Sequence, residues 1–185
     1  MKTTFESERL LYRELLPSDA DALFRLDSNP DVMRYVGIPP LTHLDQTREM
    51  IASIRQQYLD HGIGRWGVIV KETGEFIGWA GLKYIAELNG RKDNYDLGYR
   101  FVPEHWGKGY ATEAARAFID FGFQEMKLDR ISAYLDVENA ASQRVLEKCG
   151  MQFVNRFMDD GDLCAWYEIR NPKADQNNLY PSNNP

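Results

Sequence analysis

Gly107, Gly109 and the small Ala111 fall between a strand-like stretch that Pro103 ends and an apolar-periodic stretch that begins at Ala114. Small residues at such a turn let successive backbone N–H groups point outward into one concavity at the positive end of the following helix, which is a cradle for an anion. Two phosphate-loop patterns fit it poorly. A Walker A loop needs a further glycine where Val102 stands and Ser or Thr where Gly109 stands. A dinucleotide fingerprint needs Gly or Ala where Thr112 stands, although Asp129 is suitably placed downstream for its acid. The plainer reading is a tight strand-to-helix connection without a ligand. His105, beside the turn, can titrate near neutrality or serve only in packing; His43 and His61 have no partner pattern. Cys149 and Cys164 lack histidines at ligand spacing, which predicts two reduced, mostly buried thiols, no disulfide and no metal site.

The elements that must position this turn are legible as changes of period. Leu10 to Leu16 reads as a strand, Pro17-Ser18-Asp19 as a helix start, and Ala22, Leu23 and Leu26 recur at helical spacing. A second helix follows Thr42, a suitable N-cap, with Ile51, Ile54 and Tyr58 on its apolar side. Asn29-Pro30 and Pro39-Pro40 bracket an irregular connection between the two. Trp66–Val70 and Phe76–Ile85 read as a hairpin turned at Thr73-Gly74; a polar stretch, Glu87 to Asn94, leads to a strand from Tyr95 to Val102. The glycine turn, a helix to about Met126 and a strand from Ile131 to Val137 complete one βαβ unit. A short helix from Asn139 to Lys148, closed by Gly150, precedes a last hairpin turned at Asp160-Gly161. The sum is a mixed α+β domain with a mostly antiparallel sheet of about seven strands flanked by helices. It is expected to occupy residues 1–171 as one domain, with residues 172–185 an Asn- and Pro-rich polar tail.

Composition agrees with one soluble domain: 185 residues, 43% hydrophobic and 27% charged, enough to bury a core without staples. The net charge of −6 argues against a nucleic-acid surface, so any anionic ligand must be held locally. Lys2, Glu6, Glu8 and Arg9 leave no apolar run for a signal peptide, and charges interrupt every apolar stretch short of a membrane span. A cytoplasmic protein without membrane or nucleic-acid partners is the expectation, as monomer or homodimer.

Three segments carry a resemblance. Trp106-Gly107-Lys108-Gly109-Tyr110-Ala111-Thr112-Glu113-Ala114 is similar to the pyrophosphate loop of the GCN5-related N-acetyltransferase (GNAT) superfamily, with Trp106 where many members have Gln or Arg. Asn139-Ala140-Ala141-Ser142 with Leu146-Glu147-Lys148-Cys149-Gly150-Met151 resembles a downstream segment of that superfamily. Asp31-Val32-Met33-Arg34-Tyr35 and Phe76-Ile77-Gly78 match lesser signatures, and the likeness runs from Ser7-Glu8-Arg9-Leu10 to about Arg170. The branch is similar to the RimJ and RimL ribosomal-protein N-terminal acetyltransferases.

The resemblance implies acetyl-CoA as co-substrate and no metal. The donor's pyrophosphate would lie on the amides of Gly107, Lys108, Gly109, Tyr110, Ala111 and Thr112, and its pantetheine arm would pair with Phe101 and Val102. An acceptor amine would attack the thioester directly in a ternary complex, either the amine of a protein N-terminus or that of a small molecule. The Val102 N–H is the implied donor to the oxyanion. Leu146 stands where many members present an acidic tyrosine, so Ser142 is the nearest hydroxyl for the leaving thiolate, with Asn139 holding the pantetheine or a water; Ser142 as a mere helix residue is the alternative. Asp96 is the implied base, against an exposed ladder carboxylate. Lys108, Arg144 and Lys148 can pair with the phosphates, and Asp159, Asp160 and Asp162 can attract a cationic acceptor or simply build a hairpin turn. An acyl-CoA-binding or sensor domain without catalysis is the alternative function; a nucleotide-phosphate binder is a third.

Overall fold

The computed structural model describes residues 3–173; the polar tail expected from Pro172 onward lies, past Lys173, outside the described residues. β1 (Thr4–Glu6) and β2 (Leu10–Glu14) lead through a 3-10 turn at Pro17–Asp19 into α1 (Ala20–Asp27), the short α2 (Pro30–Met33) and α3 (Leu44–His61). β3 (Arg65–Val70), β4 (Phe76–Leu88) and β5 (Arg91–Phe101) follow as a meander. α4 (Tyr110–Gln124) crosses to β6 (Arg130–Asp136), and α5 (Ala140–Lys148) precedes the hairpin of β7 (Gln152–Asp159) and β8 (Asp162–Arg170). The strands form one eight-stranded sheet in the order β1-β2-β3-β4-β5-β6-β8-β7, antiparallel except where β5 meets β6.

The mixed α+β architecture is the expected one, with three local differences. β1 is an added strand, too short to show a period; it is held by Phe5, whose ring stacks on Tyr12 at 4.7 Å and meets Phe118 edge-on at 5.0 Å. The polar stretch after Glu87 is not a loop: the β4–β5 ladder runs on through Glu87↔Lys92 and Leu88↔Arg91 to an Asn89-Gly90 turn with both φ positive. Its outer end is largely solvated, so no apolar alternation marks it, and the Asn-Gly pair was the available signal. The N-cap of α3 is His43 rather than Thr42, because Gln46 Oε1 accepts the N–H groups of both residues, at 2.9 Å from Thr42 and 3.0 Å from His43.

Each face of the sheet has its own core. Ala114, Ala115, Phe118 and Ile119 of α4 and Leu146 of α5 pack on Trp66, Val68, Leu82, Leu97, Ile131 and Tyr167. On the opposite face a smaller cluster joins Leu15, Leu23 and Leu26 to Ile51 and Ile54. β4 and β5 pair along their length, but β5 and β6 share a single ladder pair, Asp96 with Ser132. Beyond it the sheet is open between the carboxyl ends of two parallel strands, where α4 begins.

Candidate active site

α4 starts at Gly109, whose φ of +83° only glycine adopts without strain, two residues after Gly107 at +74°. A side chain at Gly107 would meet no atom within 4 Å, so the space before the loop is open. The first intrahelical bond of α4 runs from Glu113 N–H to Gly109 C=O at 3.1 Å; the N–H groups of Tyr110, Ala111 and Thr112 precede it and need acceptors from elsewhere. Donors at a helix's positive end, exposed Lys108, and open space before Gly107 fit a diphosphate. Trp106 fixes the entry to the loop by donating its indole N–H to Phe101 C=O at 2.7 Å.

The carboxyl end of β5 corrects one expectation. The Val102 N–H is donated to Ile77 C=O of β4 at 3.0 Å, so it is not presented to the opening. Peptide groups alternate sides along a strand, and Phe101 and Tyr99 are the residues whose N–H groups turn toward β6. Phe101 and Val102 remain beside the opening, but the donor to a developing oxyanion cannot be Val102.

Ser142 and Asn139 meet at the start of α5, where Asn139 Oδ1 caps the helix by accepting the Ser142 N–H at 3.0 Å. Leu146 is 1% exposed and belongs to the core. A hydroxyl from another element stands nearby: Tyr99 of β5 reaches across and donates to Ser142 C=O at 3.2 Å. Burial pushes the Tyr99 phenol well above its usual range, with the Ser142 hydrogen bond opposing. Sequence reasoning missed Tyr99; its place two residues before Phe101 puts it on the same pleat face, which was the signal.

Asp96 is not an exposed ladder carboxylate. It is 4% exposed and pairs with Arg65, which also donates to Asp96 C=O at 2.7 Å. Burial drives its carboxyl above the usual range against the pull of Arg65 and Lys83. Tyr134 of β6 stands beside it and is pushed up to about 12 by burial and then by the Asp96 charge. Trp79 lies between the guanidinium groups of Arg65 and Arg100, at 5.2 and 4.9 Å, and Arg100 in turn holds buried Asp27 of α1. Arg65 sits far from Asp96 in sequence, and only the sheet order joins them.

Arg9, a second group without an assigned role in the sequence, donates to Lys108 C=O in the glycine loop at 3.0 Å. Lys148, with Arg9, Arg116 and Thr112, lines a groove of about 810 Å³ beside the loop, whereas Arg144 is exposed on α5 outside it. His105 packs: its side chain is 10% exposed and pairs with Glu75 at 3.1 Å. Asp159 and Asp162 close the last hairpin, and with Asp136 they stand around Cys164, whose thiol burial and these charges push up to about 11. Cys149 and Cys164 are both free.

A half-opened mixed sheet with an anion cradle where its parallel strands part defines a class. Residues 9–152 match the Acetyltransferase (GNAT) domain family, and the chain belongs to that family. It is an acetyl-CoA-dependent N-acetyltransferase. The uncharacterized N-acetyltransferase p20 of Bacillus licheniformis is 41% identical over 149 residues, 80% of this chain and 82% of that one. The crystal structure of a GNAT-family acetyltransferase from Bacillus anthracis is similar with a TM-score of 0.77 and 31% identity, covering 91% of this chain and 98% of that one. The fold is shared with the spermidine N-acetyltransferase from Vibrio cholerae in complex with CoA and spermine, at a TM-score of 0.72 and 22% identity over 90% of this chain and 98% of that one.

Proposed function

We propose that this chain moves the acetyl group of acetyl-CoA to a primary amine by direct attack within a ternary complex, with the donor's diphosphate on the amides of residues 107–112. The observation that carries the reading is the coincidence of the left-handed glycines with the place where β5 stops pairing with β6. The thioester supplies an activated acyl carbon, and the chain's own groups then have three tasks. The Phe101 or Tyr99 N–H, directed to the β6 side, stabilises negative charge developing on the carbonyl oxygen. The Tyr99 hydroxyl, which reaches Ser142 C=O at the start of α5, and the Ser142 hydroxyl are the candidates to provide the proton for the departing sulfur. Asp96, kept from solvent and with its carboxyl raised, draws the proton from the acceptor ammonium through water, on the sheet face opposite α4.

For the acceptor we favour an amine that carries further positive charge. Asp159 and Asp162 of the hairpin gather with Asp136 at the end of β6, and Asp162 lies 3.1 Å from where a Gly37 Cβ would stand, so the α2–α3 connection and the hairpin adjoin. The V. cholerae relative's spermidine and the amino-terminal peptides of RimL-like enzymes are the reference acceptors. The test is free-thiol release from acetyl-CoA over a panel of polyamines, peptide N-termini and single amino acids. Amine-dependent release, strongest with polyamines, is expected; CoA binding without release across the whole panel would overturn the catalytic reading.

A further inference from the structure

The segment between β1 and β2 is tied to the start of α4 by more bonds than a connecting turn requires. Glu113, in the first turn of α4, accepts from Ser7 Oγ at 2.6 Å and from the Arg9 backbone N–H and Arg9 Nε, both at 2.7 Å. Arg9 then spends Nη1 on Lys108 C=O at 3.0 Å and lays its guanidinium over the Tyr110 ring at 4.6 Å. Its Nη2 lies 3.4 Å from where a Cβ of Gly109 would stand, so the guanidinium lies against the loop at the helix cap itself.

Two electrostatic demands meet here. A loop that offers its N–H groups to a diphosphate must turn its carbonyls away and satisfy them, and Arg9 does this for Lys108. A carboxylate in the first turn favours the helix, but unneutralised it repels a bound phosphate. Only a cation reaching both Lys108 C=O and Glu113 meets both demands.

We propose that Arg9 is a positioning residue for the donor loop, cancelling the Glu113 charge and fixing the Lys108 carbonyl so that the glycine turn is preset to receive the coenzyme's diphosphate. This rests on the CoA-binding reading of the loop. Arg9 acts through Lys108 and Glu113, so its loss falls on coenzyme affinity and not on the chemical step.

The test is titration of CoA onto the full chain by calorimetry, with acetyl-CoA kinetics and thermal melting in parallel. Arg9→Ala is expected to weaken CoA binding by about tenfold or more and to raise KM for acetyl-CoA while kcat falls less than about twofold. Adding Glu113→Gln to Arg9→Ala removes the stranded charge and is expected to restore part of the affinity, whereas a purely structural tether predicts that the double variant binds no better than the single one. Arg9→Lys keeps the charge without the fork; it should fall between wild type and Arg9→Ala, and it serves if Arg9→Ala melts below the assay temperature. Unchanged CoA affinity in the Arg9 variants, or no recovery in the double variant, overturns the proposal. Failure of the wild type to bind CoA would instead overturn the reading of the loop itself.

Discussion

Tyr99 of β5 and Ser142 of α5 belong to different elements and meet through one hydrogen bond, from the Tyr99 hydroxyl to Ser142 C=O. With Leu146 buried in the core, the Tyr99 hydroxyl is the group we propose to protonate the departing sulfur. Tyr99→Phe removes only an oxygen and should lower kcat by about tenfold or more with little change in KM for acetyl-CoA, read from steady-state thiol release. An unaltered kcat in both Tyr99→Phe and Ser142→Ala would leave solvent as the proton source. At Gly109 the argument is steric: with φ at +83° and Arg9 Nη2 3.4 Å from the new Cβ, Gly109→Ala should destabilise the fold by about 1 kcal/mol or more and weaken CoA binding as well, measured by denaturant melts and titration.

Elements set these residues in place through their ends. α5 begins at Asn139, whose side chain holds the Ser142 N–H, so Asn139→Ala should cost about 1 kcal/mol of stability and loosen Ser142, lowering kcat together with the melting temperature. α4 is tethered through Glu113. Burial alone would raise this carboxyl, but the hydrogen bonds from Ser7 and Arg9 outweigh it and hold it below its ordinary value of 4.5. A depressed carboxyl contributes stability that is present above the ordinary pKa and lost as pH falls through the folded value. The melting temperature of wild type should therefore exceed that of Glu113→Gln near neutral pH, and the gap should close as the solution is acidified through the carboxyl's depressed folded value. A gap independent of pH would show that the tether works without its charge.

At the scale of the whole molecule, charge is unevenly spent. The chain carries a net −6; the groove beside the donor loop mixes Arg9, Arg116 and Lys148 with Glu6, Glu8, Glu113, Asp120 and Glu125, while Asp136, Asp159 and Asp162 gather at the hairpin. The cationic acceptor we propose would be drawn to the hairpin. Exposed charges lose most of their reach at an ionic strength of about 0.1 M and above, so kcat/KM for a polyamine should fall severalfold from low to physiological salt, and less for a singly charged amine. Equal salt dependence for the two acceptors would remove the acidic hairpin from acceptor choice. Among the described residues no helix is long and apolar enough to cross a membrane.

Local chemistry carried much of this protein into view from the sequence alone. Glycines at 107 and 109, the periods of two and of three to four on either side, and the Asp160-Gly161 turn depend on near neighbours in the chain, so the βαβ unit, the cradle and the last hairpin were legible without a fold. The extension of β4 and β5 past Glu87 escaped because a solvated ladder leaves no apolar alternation. Partners distant in sequence were beyond reach for another reason. Arg65 with Asp96, Tyr99 with Ser142 and Arg9 with Glu113 meet only because strand order and helix crossing bring them together. The side to which the Val102 N–H points is likewise decided by register, since sliding the pairing by one residue would reverse it. The sequence by itself determined where a strand-to-helix turn could offer its amides to an anion; tertiary structure decided which charges and hydroxyls surround that turn, because those depend on distances between strands rather than along them.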